Sequence, residues 1–184
     1  MGGFNILKTY PELLEILGLS ETERYHDLQA IFKRDIEDNS CFAFRNRRIY
    51  PIKAQGEADM GRLFKHLTCE EITVECEDGT KYPKRVFEFA RSQRLHWINH
   101  HIKEKTPLNI DVFTIEEKDS KKRKVKKTYI YDTVEKYVIV LEQQRTNAFY
   151  LLTAYHLNKD YGEKALLKKI QELHLLPTQR TRDS

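Results

Sequence analysis

The side chains of this chain best suited to chemistry are three arginines, a histidine and two hydroxyl-bearing residues. They are Arg91, Arg94, His96, Arg145, Thr153 and Tyr155. Cleavage of RNA through its own 2′-hydroxyl needs a base, an acid and cationic groups that hold the phosphorane oxygens. Histidine suits either proton transfer because its ordinary pKa is near neutral, and arginine binds phosphate with its planar guanidinium. These residue types therefore predict metal-independent cleavage of a phosphodiester.

We assign roles to these residues as hypotheses. Arg94 and Arg145 would bind the scissile phosphate, with Arg91 as a further substrate contact. Thr153 would orient the substrate. It lies two residues before Tyr155, so the two side chains should share one face of a strand.

Proton transfer has more than one candidate. His96 or His101 could be the base, and Tyr155 or His96 could act in proton transfer. His96 is predicted to point away from the apolar stripe of its helix, which favours an exposed position or one facing a groove. Each residue also has a structural alternative, as a solvated charge, a strand former or a half-buried aromatic.

A basic run follows between residues 118 and 127 and predicts the tip of a hairpin. As an arm that contacts the phosphate backbone of a nucleic acid, it would bind in a way that depends on salt and is independent of the nucleotide sequence. The alternative is a solvated loop. The candidate substrate-binding residues are Lys121, Lys122, Arg123, Lys124, Lys126 and Lys127.

Other chemistries have weak support. His96 and His100 are four residues apart, but no His-Glu-x-x-His motif surrounds them, so we expect no metal. The 7 glycines form no phosphate-binding loop, and the 3 cysteines form no Cys-x-x-Cys pair. We expect no cofactor and reduced thiols.

The bulk properties of the 184 residues fit a globular protein with a mildly basic surface. The net charge is +4, which is compatible with a polyanionic partner without being diagnostic. No apolar run approaches the roughly 18 residues that span a membrane, and no signal-peptide pattern opens the chain. We therefore expect a cytoplasmic protein with no membrane partner.

The pattern of elements predicts an α+β fold, with helices packed on an antiparallel meander and an N-terminal helical and β extension. A short helix is expected over Pro11–Leu17. A capping box at Ser20 and Glu23 should open a longer helix, and Asp78-Gly79 should turn a hairpin. An amphipathic helix is expected over Ala90–Lys103. The remaining predicted elements are strands over 41–45, 48–52, 110–115, 129–131, 137–143 and 149–157, and helices over 59–67 and 160–173.

Two segments, Val86–Glu104 and Thr128–Leu173, resemble the phage-type barnase/EndoU/colicin/RelE-like nucleases. The resemblance is carried by Arg-x-x-Arg-Leu-x-Trp at 91–97, by Tyr-Val-Ile-Val-Leu-Glu-x-x-Arg at 137–145, and by Phe-Tyr-Leu-Leu-Thr-Ala-Tyr at 149–155. It implies a helix on a four-stranded antiparallel sheet and metal-independent ribonuclease or toxin activity. The pocket residues it implies are Arg91, Arg94, Arg145, Thr153 and Tyr155.

Taken together, these features predict an extension over residues 1–80, a nuclease domain over 81–176 and a polar tail over 177–184. The expected partners are RNA and an immunity or antitoxin protein. The alternatives are a non-catalytic module that binds nucleic acid or protein through the same basic surface, and a plain interaction domain of a mobile element.

Overall fold

The computed structural model of the chain describes residues 4–51, 53–54, 57–119, 121–158 and 160–175, and it has the predicted α+β class. The strands are β1 Ala43–Phe44, β2 Arg47–Pro51, β3 Lys53–Ala54, β4 Glu57–Ala58, β5 Cys69–Glu75, β6 Lys81–Phe87, β7 Ile110–Lys118, β8 Lys124–Asp132, β9 Tyr137–Gln143 and β10 Phe149–His156. The main sheet has six of them, in the order β1-β2-β10-β9-β8-β7. The α-helices are α1 Glu21–Phe32, α2 Met60–Thr68, α3 Phe89–Ser92, α4 Trp97–Ile102 and α5 Asp160–Leu175.

The C-terminal part of the sheet is the expected meander. Strands β7, β8, β9 and β10 pair antiparallel in sequence order. The N-terminal part then adds β2, which pairs parallel to β10 over Phe149–Leu151 only. After Leu151, β2 no longer pairs with β10, and the helices α2 and α3 contact β10 instead.

The two faces of the sheet bury different partners. One face packs with the N-terminal helices around side chains such as Trp97, Ile139 and Leu151. The other face packs α5 through Leu166 against Tyr129 and Val140. Alternation of side chains along each strand produces this division, because successive residues point to opposite faces.

The segment predicted as a helix over Pro11–Leu17 is not helical, and that prediction is wrong. Leu14 and Ile16 are fully buried, whereas Leu13 and Leu17 are exposed. This is the two-residue period of extended chain rather than that of a helix. The segment crosses the molecule as a strap, and the backbone N–H of Leu14 donates to the carbonyl of Gln93 at 3.0 Å.

The capping box at the start of α1 is confirmed. The Ser20 hydroxyl accepts from the Glu23 N–H, and the Glu23 carboxylate accepts from the Ser20 N–H at 2.9 Å. Leu28, Ile31 and Phe32 are buried along one face of the helix. Tyr25, in the second turn of the same helix, is 54% exposed.

The helix predicted over Ala90–Lys103 is divided into α3 and α4 by a tight turn. Its hydrogen bonds are of the i to i+3 type, such as Arg94 N–H to the Arg91 carbonyl at 3.1 Å. Three residues per turn instead of 3.6 rotate the side chains that follow. His96 is consequently buried, 5% exposed, and the prediction that it points away from the core is wrong.

The β5–β6 hairpin forms around the predicted Asp78-Gly79 turn, where Gly79 has φ of +80°. The boundary predicted between residues 80 and 81 therefore falls at this hairpin's turn. Side chains from both sides of that boundary, including Leu63 and Leu141, belong to one buried cluster. No described helix is long and apolar enough to cross a membrane.

Candidate active site

A candidate site lies where α2 and α3 cover the edge of β10 that β2 leaves open. Glu88 caps α3, since its carboxylate accepts from the backbone N–H groups of Ala90 and Arg91. Arg91 lies in α3 and Arg94 two residues after its end, and the charge of Arg94 acts on His156 at the end of β10. Thr153 and Tyr155 come from the adjoining stretch of β10.

Arg91 ties the three elements together. Its Nη1 lies 2.7 Å from the carbonyl oxygen of His66, 2.8 Å from that of Cys69 and 3.5 Å from Thr153 Oγ1. The two carbonyls end α2, where the helix dipole is negative, so a guanidinium is a favourable cap. The guanidinium carbon also lies 5.9 Å from the centre of the Tyr155 ring.

Arg94 is held more loosely. Its Nη1 donates to the Ala90 carbonyl at 2.7 Å, and its guanidinium carbon lies 5.1 Å from the centre of the Trp97 ring. The charges of Glu88 and Glu70 act on Arg91, and that of Glu88 acts on Arg94. Burial lowers the pKa of both guanidinium groups. Two desolvated guanidinium groups can bind an anion, here in competition with the carboxylates of Glu88 and Glu70, which also line the adjoining cavity.

A β-bulge aims the hydroxyl residues of β10. The pairing with β9 shifts between Leu151 and Thr153, so that Thr153 lies opposite Val140 and Tyr155 opposite Val138. The predicted shared face of Thr153 and Tyr155 is thereby confirmed. Thr153 Oγ1 also donates to the His66 carbonyl at 3.3 Å. Bulges of this kind often re-aim side chains beside active sites.

A small cavity of about 140 Å³ opens beside these residues. Arg91, Tyr155 and His156 are among the side chains that line it. Three buried nitrogen atoms in this region lack a hydrogen-bond partner among the described residues, namely Arg91 Nε, Arg94 Nε and His156 Nδ1. Buried polar groups are normally paired, so this cluster of unpaired donors and acceptors fits a site that a ligand completes.

Two histidines that the sequence reasoning did not assign belong to this site. Burial, followed by the charge of Arg94, lowers the pKa of His156. Burial, followed by the charges of Arg85 and Arg62, lowers the pKa of His66. Both imidazoles are therefore neutral near pH 7 and able to accept a proton. His156 directly follows Tyr155, and that adjacency was the available sequence signal.

Tyr155 has the opposite character. Burial raises the pKa of its phenol, with a further contribution from Tyr129, so the hydroxyl stays protonated at neutral pH. That hydroxyl forms no hydrogen bond with any residue that the structure describes. Among the described residues it is an unused donor near the Arg91 guanidinium, which suits a role at a phosphate oxygen or a leaving group.

Arg145 is not brought to this site. It is exposed in the turn between β9 and β10. Tyr155 lies opposite Val138 of β9. The pairing of β9 with β10 ends at Gln143, five residues or about 17 Å further along β9. Arg145 lies beyond that end.

The basic run lies at the same distant end of the sheet. It forms the predicted hairpin tip between β7 and β8. Several of its cations are paired, including Lys124 with Glu116 at 2.8 Å and Lys127 with Glu117 at 2.9 Å. Arg123 is paired with Asp119 at 2.7 Å. The exposed side chains without an ion pair in the described residues are Lys121, Lys122 and Lys126.

His96 and His101 belong to a separate buried cluster under the N-terminal strap. His101 Nε2 lies 3.3 Å from Asp132, which also accepts a hydrogen bond from the Tyr10 hydroxyl at 2.8 Å. Burial lowers the pKa of His96 to about 4. Neither histidine lines the cavity beside Arg91.

No set of three potential metal ligands comes together among the described residues. Comparisons of the chain with models of protein families, with curated proteins and with solved structures give no match.

Proposed function

We propose that this protein is a metal-independent endoribonuclease that cleaves RNA by attack of a 2′-hydroxyl on the adjacent phosphate. The observation that carries the proposal is the pair of desolvated guanidinium groups of Arg91 and Arg94, with Arg91 beside Thr153 and Tyr155 and with two neutral histidines nearby. The bond between phosphorus and the 5′-oxygen breaks, and the products are a 2′,3′-cyclic phosphate and a 5′-hydroxyl.

In this mechanism the arginines neutralise the phosphorane, whose negative charge grows in the transition state. His156 takes the 2′-proton because its imidazole is neutral and its Nδ1 is unpaired. His66 is the second candidate for this step. The protonated Tyr155 hydroxyl donates to the leaving 5′-oxygen, and Thr153 keeps Arg91 in place. An effector of this kind would act as a toxin and would need an antitoxin or immunity protein.

The test compares the purified protein with Arg94→Ala and Arg145→Ala on total RNA, with and without EDTA. We expect discrete fragments ending in a cyclic phosphate from the parent protein. Arg94→Ala should cleave at least a hundredfold more slowly, as for loss of one preorganised donor. Arg145→Ala should cleave normally because it lies outside the site. Intact RNA in every reaction would overturn the proposal.

The second candidate is a module that binds nucleic acid without cleaving it. It is favoured by the three exposed lysines at the β7–β8 tip that lack an ion pair in the described residues. This alternative predicts salt-sensitive binding that is lost in a Lys121→Ala, Lys122→Ala, Lys126→Ala variant and is unchanged by Arg94→Ala.

A further inference from the structure

A second and larger cavity lies on the other side of the α2–β5 junction from the candidate site. It is a groove of about 600 Å³ between α1, α2 and the β5–β6 hairpin, and we call it the α1–α2 groove. Its size is that of cavities that hold a small-molecule ligand or cofactor. Its walls include Arg24, Tyr25, Lys65, Arg85 and Phe87.

The groove combines aromatic surface with positive charge. Tyr25 is 54% exposed there, and the guanidinium of Arg24 lies 4.6 Å from the centre of the Phe87 ring. The lining contains Arg24, Lys65 and Arg85 but a single acidic residue, Glu21. Arg24 and Lys65 have no ion pair within the described part of the chain. Arg85 is partly neutralised by Glu71 at 3.3 Å.

The groove adjoins the candidate site. Cys69 lies in its wall, and the Cys69 carbonyl accepts the hydrogen bond from Arg91 at 2.8 Å. Thr68, also in the wall, accepts from the Ser92 hydroxyl at 3.0 Å, directly beside Arg91. Thr68 and Ser92 are buried, so the two cavities are separated by a packed wall, and a single strand with a phosphate at Arg91 would pass over this wall to reach the groove.

We propose that the α1–α2 groove binds unpaired nucleotides of the RNA next to the scissile phosphate. This inference rests on the proposed ribonuclease function. Aromatic rings and guanidinium planes stack on bases of any sequence, and nearby cations hold the intervening phosphates. The occupant is single-stranded because bases within an A-form helix are already stacked and cannot enter.

The test measures binding of a fluorescent octaribonucleotide with 2′-fluoro sugars, which lack the attacking hydroxyl, by anisotropy. Tyr25→Ala should raise its Kd about fivefold or more, as for loss of one base–aromatic stack. Lys65→Ala should lower the salt slope by about 0.7. The matched control is Tyr50→Ala, an exposed tyrosine on β2 outside the groove, which should bind like the parent.

One further measurement separates this inference from the proposed function. Tyr25→Ala should cleave a dinucleotide at the parent rate, because that substrate occupies only the candidate site. If binding of the octamer depends on Tyr25 but no RNA is cleaved, RNA binding in the groove is supported and the proposed ribonuclease activity is contradicted. Equal octamer binding by Tyr25→Ala and Tyr50→Ala, or no octamer binding at all, would overturn the proposal that the groove binds RNA. A groove that binds a protein partner instead would give this result.

Discussion

Arg91 and Arg94 are three residues apart, yet their surroundings differ. Arg91 donates hydrogen bonds from Nη1 to the carbonyls at the end of α2, so its first role is to hold α2, α3 and β10 together. Arg94 donates to one carbonyl of its own turn and lies over Trp97. Of the two, Arg94 is therefore the group more available to a phosphate.

Tyr155→Phe gives the cleanest separation of activity from stability. The phenol makes no hydrogen bond to a described residue, so its loss should change the free energy of unfolding by less than about 0.5 kcal/mol. Cleavage should fall about 10²-fold or more, as for loss of a proton donor. The measurement is a cleavage rate beside a thermal melt.

Tyr129→Phe is the matched control, because Tyr129 lies on the same face and donates to Glu117 at 2.8 Å. It should lower the melting temperature and leave the cleavage rate unchanged. A Tyr155→Phe variant that melts early but cleaves normally would show Tyr155 to be a structural residue.

The proposed base sets the pH dependence of cleavage. The pKa of His156 is lowered from 6.5, so the neutral imidazole is present at pH 7 and is protonated only as the pH falls below 6.5. The value of kcat/KM should therefore be flat near neutral pH and decline in acid. Arg94→Gln should move this decline to higher pH, since the Arg94 charge helps to lower the pKa. A profile unchanged in His156→Gln would assign the base elsewhere.

At the scale of elements, two local irregularities create the site. The bulge in β10 turns Thr153 and Tyr155 to one face, and the tight turn after α3 directs the next residues inward. Both irregularities lie beside the end of α2. The arrangement therefore depends on Arg91, which contacts the end of α2 and β10 at once.

Arg91→Met tests this dependence. Loss of two charge-assisted hydrogen bonds leaves carbonyls of His66 and Cys69 without that donor, so the free energy of unfolding should fall by about 3 kcal/mol. Denaturant unfolding measures it. Arg62→Met, an exposed arginine of α2 whose side chain has no hydrogen bond among the described residues, is the control and should change stability little. Equal stability of both variants would contradict the role given to Arg91.

Burial of His96 under the N-terminal strap predicts acid sensitivity of the fold. The folded pKa of about 4 is below the ordinary 6.5, so this histidine binds fewer protons in the folded state. The corresponding stability is complete above pH 6.5 and is lost as the pH falls towards 4, by up to about 3 kcal/mol. Unfolding free energies from pH 7 to pH 4 should therefore decline less steeply in His96→Asn than in the parent. Parallel declines would exclude His96 as the cause.

At the scale of the molecule, the N-terminal residues and the sheet share one core. Leu14 and Ile16 of the strap are fully buried in the cluster that also contains Ile139 and Leu151. β2 adds to the edge of β10. The segment predicted as an extension thus supplies part of the surface against which the C-terminal sheet packs.

Leu14→Ala should lower the free energy of unfolding of the whole protein by about 3 kcal/mol, as for other buried leucines. Trp97 fluorescence and far-UV circular dichroism should report one coincident transition. Leu17→Ala, at an exposed position of the same strap, is the control. Separate transitions for the two probes would show that the N-terminal part unfolds on its own.

Sequence patterns were sufficient wherever a local signal decided the structure. The capping box began α1, Asp78-Gly79 turned its hairpin, and two apolar runs separated by a short polar turn made β9 and β10 an antiparallel pair. Of the residues proposed from the sequence, Arg91, Arg94, Thr153 and Tyr155 come from neighbouring elements of the candidate site. The helix predicted over the strap failed because burial of Leu14 and Ile16 against the core outweighed local helix propensity.

The sequence by itself determined the α+β class and the meander, and it suggested the residue types of the candidate site. Only the tertiary structure decided which of these residues meet. It brought His66 and His156 to Arg91, left Arg145 at the far end of the sheet and buried His96. The physical reason is that a bulge and one tight turn rotate side chains by amounts that periodicity cannot show. Packing of α2 against an open strand edge likewise depends on contacts between residues far apart in the chain.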